Sequence, residues 1–256
     1  MPTQPREFVE RPGALARADA DSHPAVGHTT DRRDVWVLTA WLCIGLIGLV
    51  GFVALTLIVA SRGVIPFDVQ LLDYARTYGA YNDAWNLLSN AANLPLIAIG
   101  VGLVVWLFVK HRRREGILVV LILTAVTAGS EAIKQLVARP RPPGSDTVVP
   151  GVIYSYPSGH VLEAVTIFGI IAILLWRSSQ PLWLRAGFAI LVTVFVALVA
   201  FARVAIDAHY PSDVLAGFLA GIGVLGIFAV LSWDADRGDR PADAPQGGDE
   251  RAPDHS

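Results

Sequence analysis

From Val35 to Ala60 the chain carries no charged residue. As a helix, a run of that length crosses the roughly 30 Å hydrocarbon core of a bilayer. It is too long for the apolar region of a secretory signal and follows a polar leader, so it reads as an uncleaved transmembrane helix. Five more apolar runs follow: Ala91 to Val109, Gly116 to about Ala138, His160 to Trp176, about Leu182 to Ile206, and Val214 to Trp233. The pattern predicts an all-α integral membrane protein with six transmembrane helices. Between the first two runs, Phe67, Leu71, Ala75 and Tyr78 recur at helical spacing, with Trp85, Leu87 and Leu88 beyond them. That stretch predicts an interfacial helix. Residues 1–34 and 234–256 are polar and read as a disordered cytoplasmic leader and tail, leaving 35–233 as the membrane domain.

Composition narrows the class. Of the 256 residues, 54% are hydrophobic and 16% charged, against about 25% charged in a typical soluble domain. A collagen, a coiled coil and a disordered chain are excluded, and a soluble enzyme with a solvated surface is hard to build from this composition. The formal net charge of −2 gives no general electrostatic case for a nucleic-acid partner. Cys43, the one cysteine, rules out an internal disulfide and a cysteine-built metal site. In its apolar run it reads as a buried thiol.

Basic residues set the expected orientation. Arg6, Arg11, Arg17, Arg32 and Arg33 precede the first run; Lys110 and Arg112 to Arg114 join the second and third; Arg177 and Arg185 join the fourth and fifth; Arg237, Arg240 and Arg251 follow the sixth. The opposite side receives only Arg62, Arg76, Lys134, Arg139, Arg141 and Arg203. Both termini are therefore expected in the cytoplasm. Trp36, Trp106, Trp176, Trp183 and Trp233 then fall at cytoplasmic helix ends, as an aromatic belt requires.

The unusual polar residues collect on the other side. They are Lys134, Arg139 and Arg141 after the third run, Ser158 and His160 opening the fourth, Arg203 closing the fifth, and Asp207, His209 and Asp213 around the start of the sixth. Singly, each reads as well as a charge snorkelling to the lipid headgroups. Converging from four helix ends, they read as a functional site. Lys134, Arg141 and Arg203 match the charge of a phosphate. Pro157, Ser158 and Gly159 precede a helix whose free N–H groups and dipole favour the same anion. Two histidines supply a nucleophile and a proton donor for phosphoryl transfer. Pro211 starts the last helix and leaves His209 in the loop before it. Asp213 in the first turn then either reaches back to one imidazole nitrogen, fixing the tautomer, or only caps the helix.

Lys134-x6-Arg141-Pro142, Pro157-Ser158-Gly159-His160 and Arg203-x5-His209-x3-Asp213, in that order, resemble the three-part signature of the type 2 phosphatidic acid phosphatase (PAP2) superfamily, in its membrane-bound lipid phosphatase branch. The resemblance covers roughly Val35 to Trp233. It implies six spanning helices and hydrolysis of a lipid phosphate or diphosphate, with undecaprenyl diphosphate, phosphatidate and phosphatidylglycerophosphate as candidates. It implies His209 as the nucleophile forming a phosphohistidine, Asp213 as its orienting partner and His160 as the general acid. Lys134, Arg141, Ser158, Gly159 and Arg203 would hold the phosphate, with no metal or cofactor, since the cations neutralise the charge. Ala202 stands where the family usually has serine, so one hydroxyl contact is absent.

Three acids lie beside the signature: Glu131, Glu163 and Asp207. Pairing with neighbouring cations is one reading; the other has Glu163 keeping His160 protonated. Gly217 and Gly221 predict a close helix contact inside the bundle. A head-group phosphotransferase, a silent membrane scaffold and a transporter are the competing functions. Charges gathered at one face, away from the bilayer midplane, argue against the transporter.

Overall fold

The computed structural model describes residues 32–79, 85, 93–143 and 153–233. Most of the polar leader, the whole tail, Leu87 and Leu88 lie outside the described residues. Within them the chain forms seven helices: α1 Arg32–Arg62, α2 Pro66–Gly79, α3 Asn93–Val109, α4 Arg113–Val137, α5 Gly159–Trp176, α6 Leu182–Ala205 and α7 Pro211–Leu231. No sheet is present among the described residues, only an isolated bridge between Pro140 and Tyr154.

Five helices, α1, α4, α5, α6 and α7, are long and apolar enough to cross a membrane. This is a multi-pass membrane protein. The 17-residue α3 is apolar throughout and reaches about 25 Å. Leu, Ile and Val point outward as well as inward, as lipid demands: Leu46, Ile47, Leu121, Ile190 and Leu191 are all exposed. Cys43 is likewise exposed on α1, which corrects the expectation of a buried thiol. In a soluble chain an apolar run implies burial, whereas here it also suits the lipid-facing side.

The bundle is held by close backbone approaches as well as by side-chain packing. A Cβ on Gly226 would lie 2.4 Å from Gly45 Cα, so α1 and α7 touch through glycine. Gly217 meets the Ser158 carbonyl in the same way, at 2.6 Å, and Gly221 meets Val165. The small-residue pair of the last helix therefore packs against α5, inside the bundle. One buried cluster joins Leu107, Val119, Ile170 and Phe228; another joins Leu96, Val161, Ala164 and Val199.

α2 forms where the spacing predicted a helix, but its buried stripe is Asp68, Leu72 and Ala75. Leu72 and Ala75 pack with Val204 and Tyr210. Phe67 and Leu71 are exposed, facing a groove. At the far end of the bundle, Arg177 closing α5 donates to Ser232 Oγ at 2.8 Å and to the Ala229 carbonyl at 2.9 Å, tying α5 to the end of α7.

Candidate active site

Two chain reversals at one end of the bundle, from α4 to α5 and from α6 to α7, build the site. α4 stops because Ala138 adopts a left-handed conformation, φ 48°, and the next residue precedes Pro140. The released segment runs beside the one entering α5, with the Ser155 N–H on the Arg139 carbonyl at 2.9 Å. α6 ends at Ala205, and Asp207 turns the chain with φ 57°. The N–H groups of Ala208 and His209 both return to the Arg203 carbonyl, at 3.1 Å each. α7 opens at Pro211, its preferred first position. Asp213 accepts the Tyr210 N–H at 2.9 Å, capping the turn.

These reversals bring the three motifs together. The Ser158 N–H donates to the Asp213 carbonyl at 3.0 Å, and Arg141 Nη1 donates to the Ala208 carbonyl at 2.6 Å. Lys134, Arg141, Arg203 and His209 all act electrostatically on His160. Lys134 Nζ lies 3.8 Å from the position a Cβ on Gly159 would take. Every residue of the predicted site therefore lies in one cluster.

His209 is almost fully buried, and its Nδ1 lies 2.7 Å from the Ser155 carbonyl oxygen. A carbonyl only accepts, so Nδ1 carries the hydrogen and Nε2 holds the lone pair. Asp213 Oδ2 is farther from Nδ1, at 3.6 Å. The tautomer is thus fixed by a backbone carbonyl of the neighbouring segment, and Asp213 acts on the ring by charge. Burial, with Arg203 and Arg141 nearby, pushes the His209 pKa down to about 4, against an opposing pull from Asp213. Arg141 is also drawn below its ordinary value by burial.

α5 begins without a side-chain cap, and the hydroxyl of Ser158 and Nε2 of His160 are buried with no hydrogen-bond partner among the described residues. Polar atoms left in that condition are costly unless a ligand completes them. Ala202 is fully buried beside Arg203.

The nearby acids have partners of their own. Glu131 pairs with Lys134 at 3.2 Å, Asp207 with Arg76 at 2.9 Å, and Glu163 accepts from Thr127 Oγ1 at 3.4 Å. Arg139, one of the converging polar residues but given no role by the signature, is buried and bonds Asp213, Ser212 and Asp68. It sits in the x6 gap of the first motif, and its one visible signal was a cation immediately after a predicted span. Tyr156, behind the site, stacks on Phe52 and shares a hydrogen bond of 2.8 Å with Thr56, tying α1 to the second motif.

An apolar groove of about 720 Å³ lies between α5, α6 and α7 beside α2. Val161, Val204, Pro211 and Val214 line it beside the motifs, Phe67, Leu71 and Tyr74 from α2, and Ile222 and Leu225 deep in α7.

Residues 115–237 match the family model described as PAP2 superfamily. Over that segment the chain is similar to the PAP2 superfamily. The matched segment holds all three motifs and α4 to α7, while α1 to α3 precede it. Phosphatidylglycerophosphatase B of Bacillus subtilis (strain 168) is 29% identical over 143 residues, which are 55% of this chain and 67% of that protein. Undecaprenyl-diphosphatase of Sulfolobus acidocaldarius is 34% identical over 122 residues, 45% of this chain and 54% of the relative, or about half its length. Among solved structures, a transmembrane PAP2-type phosphatidylglycerolphosphate phosphatase from Bacillus subtilis superposes with a TM-score of 0.60 at 22% identity, covering 78% of this chain and 98% of that one. That likeness concerns the fold.

Proposed function

We propose that this protein is a membrane phosphatase that removes phosphate from a lipid phosphate or diphosphate through a phosphohistidine on His209. The observation that carries the reading is the Nδ1 of a buried His209 lying on the Ser155 carbonyl, which puts the hydrogen on Nδ1 and the lone pair on Nε2. That lone pair is what a nucleophile needs. Lys134, Arg141 and Arg203 hold the phosphoryl oxygens with the hydroxyl of Ser158 and the free N–H groups opening α5, where Gly159 allows close approach. The N–P bond forms as the bond from phosphorus to the leaving oxygen breaks, and His160, protonated under the negative charge of the bound phosphate, gives that oxygen its proton. Water then attacks phosphorus, His160 takes the water proton, and the N–P electron pair returns to Nε2. Charge neutralisation by the three cations makes a metal unnecessary.

The apolar groove supports a lipid substrate, since Val161, Val204 and Val214, which line it, are chain neighbours of His160, Arg203 and Asp213. α3 is taken as a sixth span, α2 as a helix lying at the interface, and both termini as cytoplasmic, which puts the site at the outer face of the cell membrane. The test is phosphate release by purified protein in detergent from undecaprenyl diphosphate, phosphatidate and phosphatidylglycerophosphate, with a chelator present. His209→Ala should lose turnover by at least a thousandfold. Undiminished activity in that variant, or loss of activity to the chelator, defeats the mechanism.

A further inference from the structure

Arg139 and Asp213 form an ion pair in a site where both side chains are buried. Such a pair is neutral as a unit, and a neutral unit does little for positive charge on a neighbouring imidazole. A second carboxylate changes the sum. Asp68, on α2, is fully buried and takes the other guanidinium nitrogen of Arg139 at 2.5 Å. It also accepts the Ser212 N–H at 2.8 Å and the Ser212 hydroxyl at 2.9 Å. Two carboxylates and one guanidinium leave a net charge of −1, held 3.6 Å from the His209 ring.

Docking α2 does not require this arrangement. Leu72 and Ala75 already pack α2 against Val204 and Tyr210, and burying charges costs more than burying apolar groups of the same size. Asp68 also lies outside residues 115–237, the segment that matches the family.

We propose that Asp68 is a positioning residue for the reaction: by sharing Arg139 with Asp213 it leaves the buried Asp68, Arg139 and Asp213 cluster net negative, so that Asp213 stabilises the positive His209 ring of the phosphohistidine. The inference rests on His209 being the nucleophile. In that intermediate Nδ1 keeps its hydrogen, so the ring is cationic until water breaks the N–P bond. The groups facing His209 are Asp213 of α7, Arg203 of α6, Arg141 after α4 and, through its mutual charge effect, His160 of α5. Tyr156 and Tyr210 face the cluster itself, and Arg76 of α2 acts on Tyr210.

The experiment is a charge cycle, read as kcat, KM and the acid limb of kcat/KM on the panel lipid that the parent hydrolyses, with thermal midpoints measured alongside. Asp68→Asn makes the cluster neutral and should move the limb to lower pH by about half to one unit, with kcat about three- to tenfold down and KM within about twofold. Arg139→Gln makes it −2 and should move the limb up. The double variant restores −1 and should return the limb to within about 0.3 unit of the parent, with kcat above that of Asp68→Asn. Arg139→Lys keeps the charge and should leave the limb in place even where the thermal midpoint falls. Single variants that both leave the limb in place, or both move it the same way while losing stability, make Asp68 an anchor of α2 and overturn the proposal. Turnover surviving in His209→Ala overturns the phosphohistidine reading on which this inference rests instead, so the two failures are separate.

Discussion

A histidine that attacks phosphorus must be neutral when substrate arrives. Burial supplies that condition at His209 by holding its pKa at about 4, below the ordinary value of 6.5. The acid limb of kcat/KM reports the free enzyme, so activity should persist as pH falls through 6 and be lost only near pH 4. A pH profile of the detergent-solubilised protein with a limb near 6.5 would contradict this, because it would require a solvated ring. The fixed tautomer makes a second demand on the residue: Nδ1 must keep its hydrogen throughout. Since the partner is the backbone carbonyl of Ser155, no substitution at position 155 removes it, and Ser155→Ala should retain most activity in the phosphate-release assay.

Among elements, α7 is where site and scaffold meet, and two of its glycines separate the two roles. A methyl group at Gly217 would press on the Ser158 carbonyl, in the turn that starts α5. One at Gly226 would press on Gly45, along α1 and far from the motifs. Overpacking at either position should destabilise by about 1–3 kcal/mol. Only Gly217→Ala should also lower kcat, by tenfold or more, because it displaces the second motif. Gly226→Ala should stay within about threefold of the parent. Thermal midpoints and kcat measured together check both halves. α2 shows why periodicity gives an element's existence more readily than its face. Phe67, Leu71 and Ala75 marked the helix, yet Asp68, in its first turn, is fully buried. A carboxylate in a buried stripe makes sense only once Arg139 and Ser212 are found opposite it.

At the level of the whole molecule, the apolar groove is lined by Val161, Val204 and Val214, chain neighbours of His160, Arg203 and Asp213. If it holds the substrate's apolar chain, filling it should impair lipid substrates and spare small ones. Ala197 lines its wall on α6. Ala197→Trp should raise KM for a long-chain lipid phosphate by about tenfold or more and change KM for a short-chain, water-soluble phosphate ester by less than about twofold. Equal effects on both would move the tail elsewhere.

The sequence by itself determined the helical membrane class, the approximate limits of the apolar runs and the three motifs. Each of these is local: an uncharged run has one stable state in lipid, and motif spacing is covalent. It also showed which helix ends share a side, because spans alternate, and the scarcity of charge left the site residues conspicuous. Tertiary structure decided what alternation leaves open. It placed the Ser155 carbonyl on His209, where residues 54 apart in the chain meet. It exposed Cys43 to the lipid-facing side and turned the acids toward Lys134, Arg76 and Thr127. It also joined Asp68 to Arg139 and Asp213, a contact spanning 71 and 74 positions. Such pairings follow from how helix ends converge and which buried charges must be matched there, and no local pattern encodes that convergence.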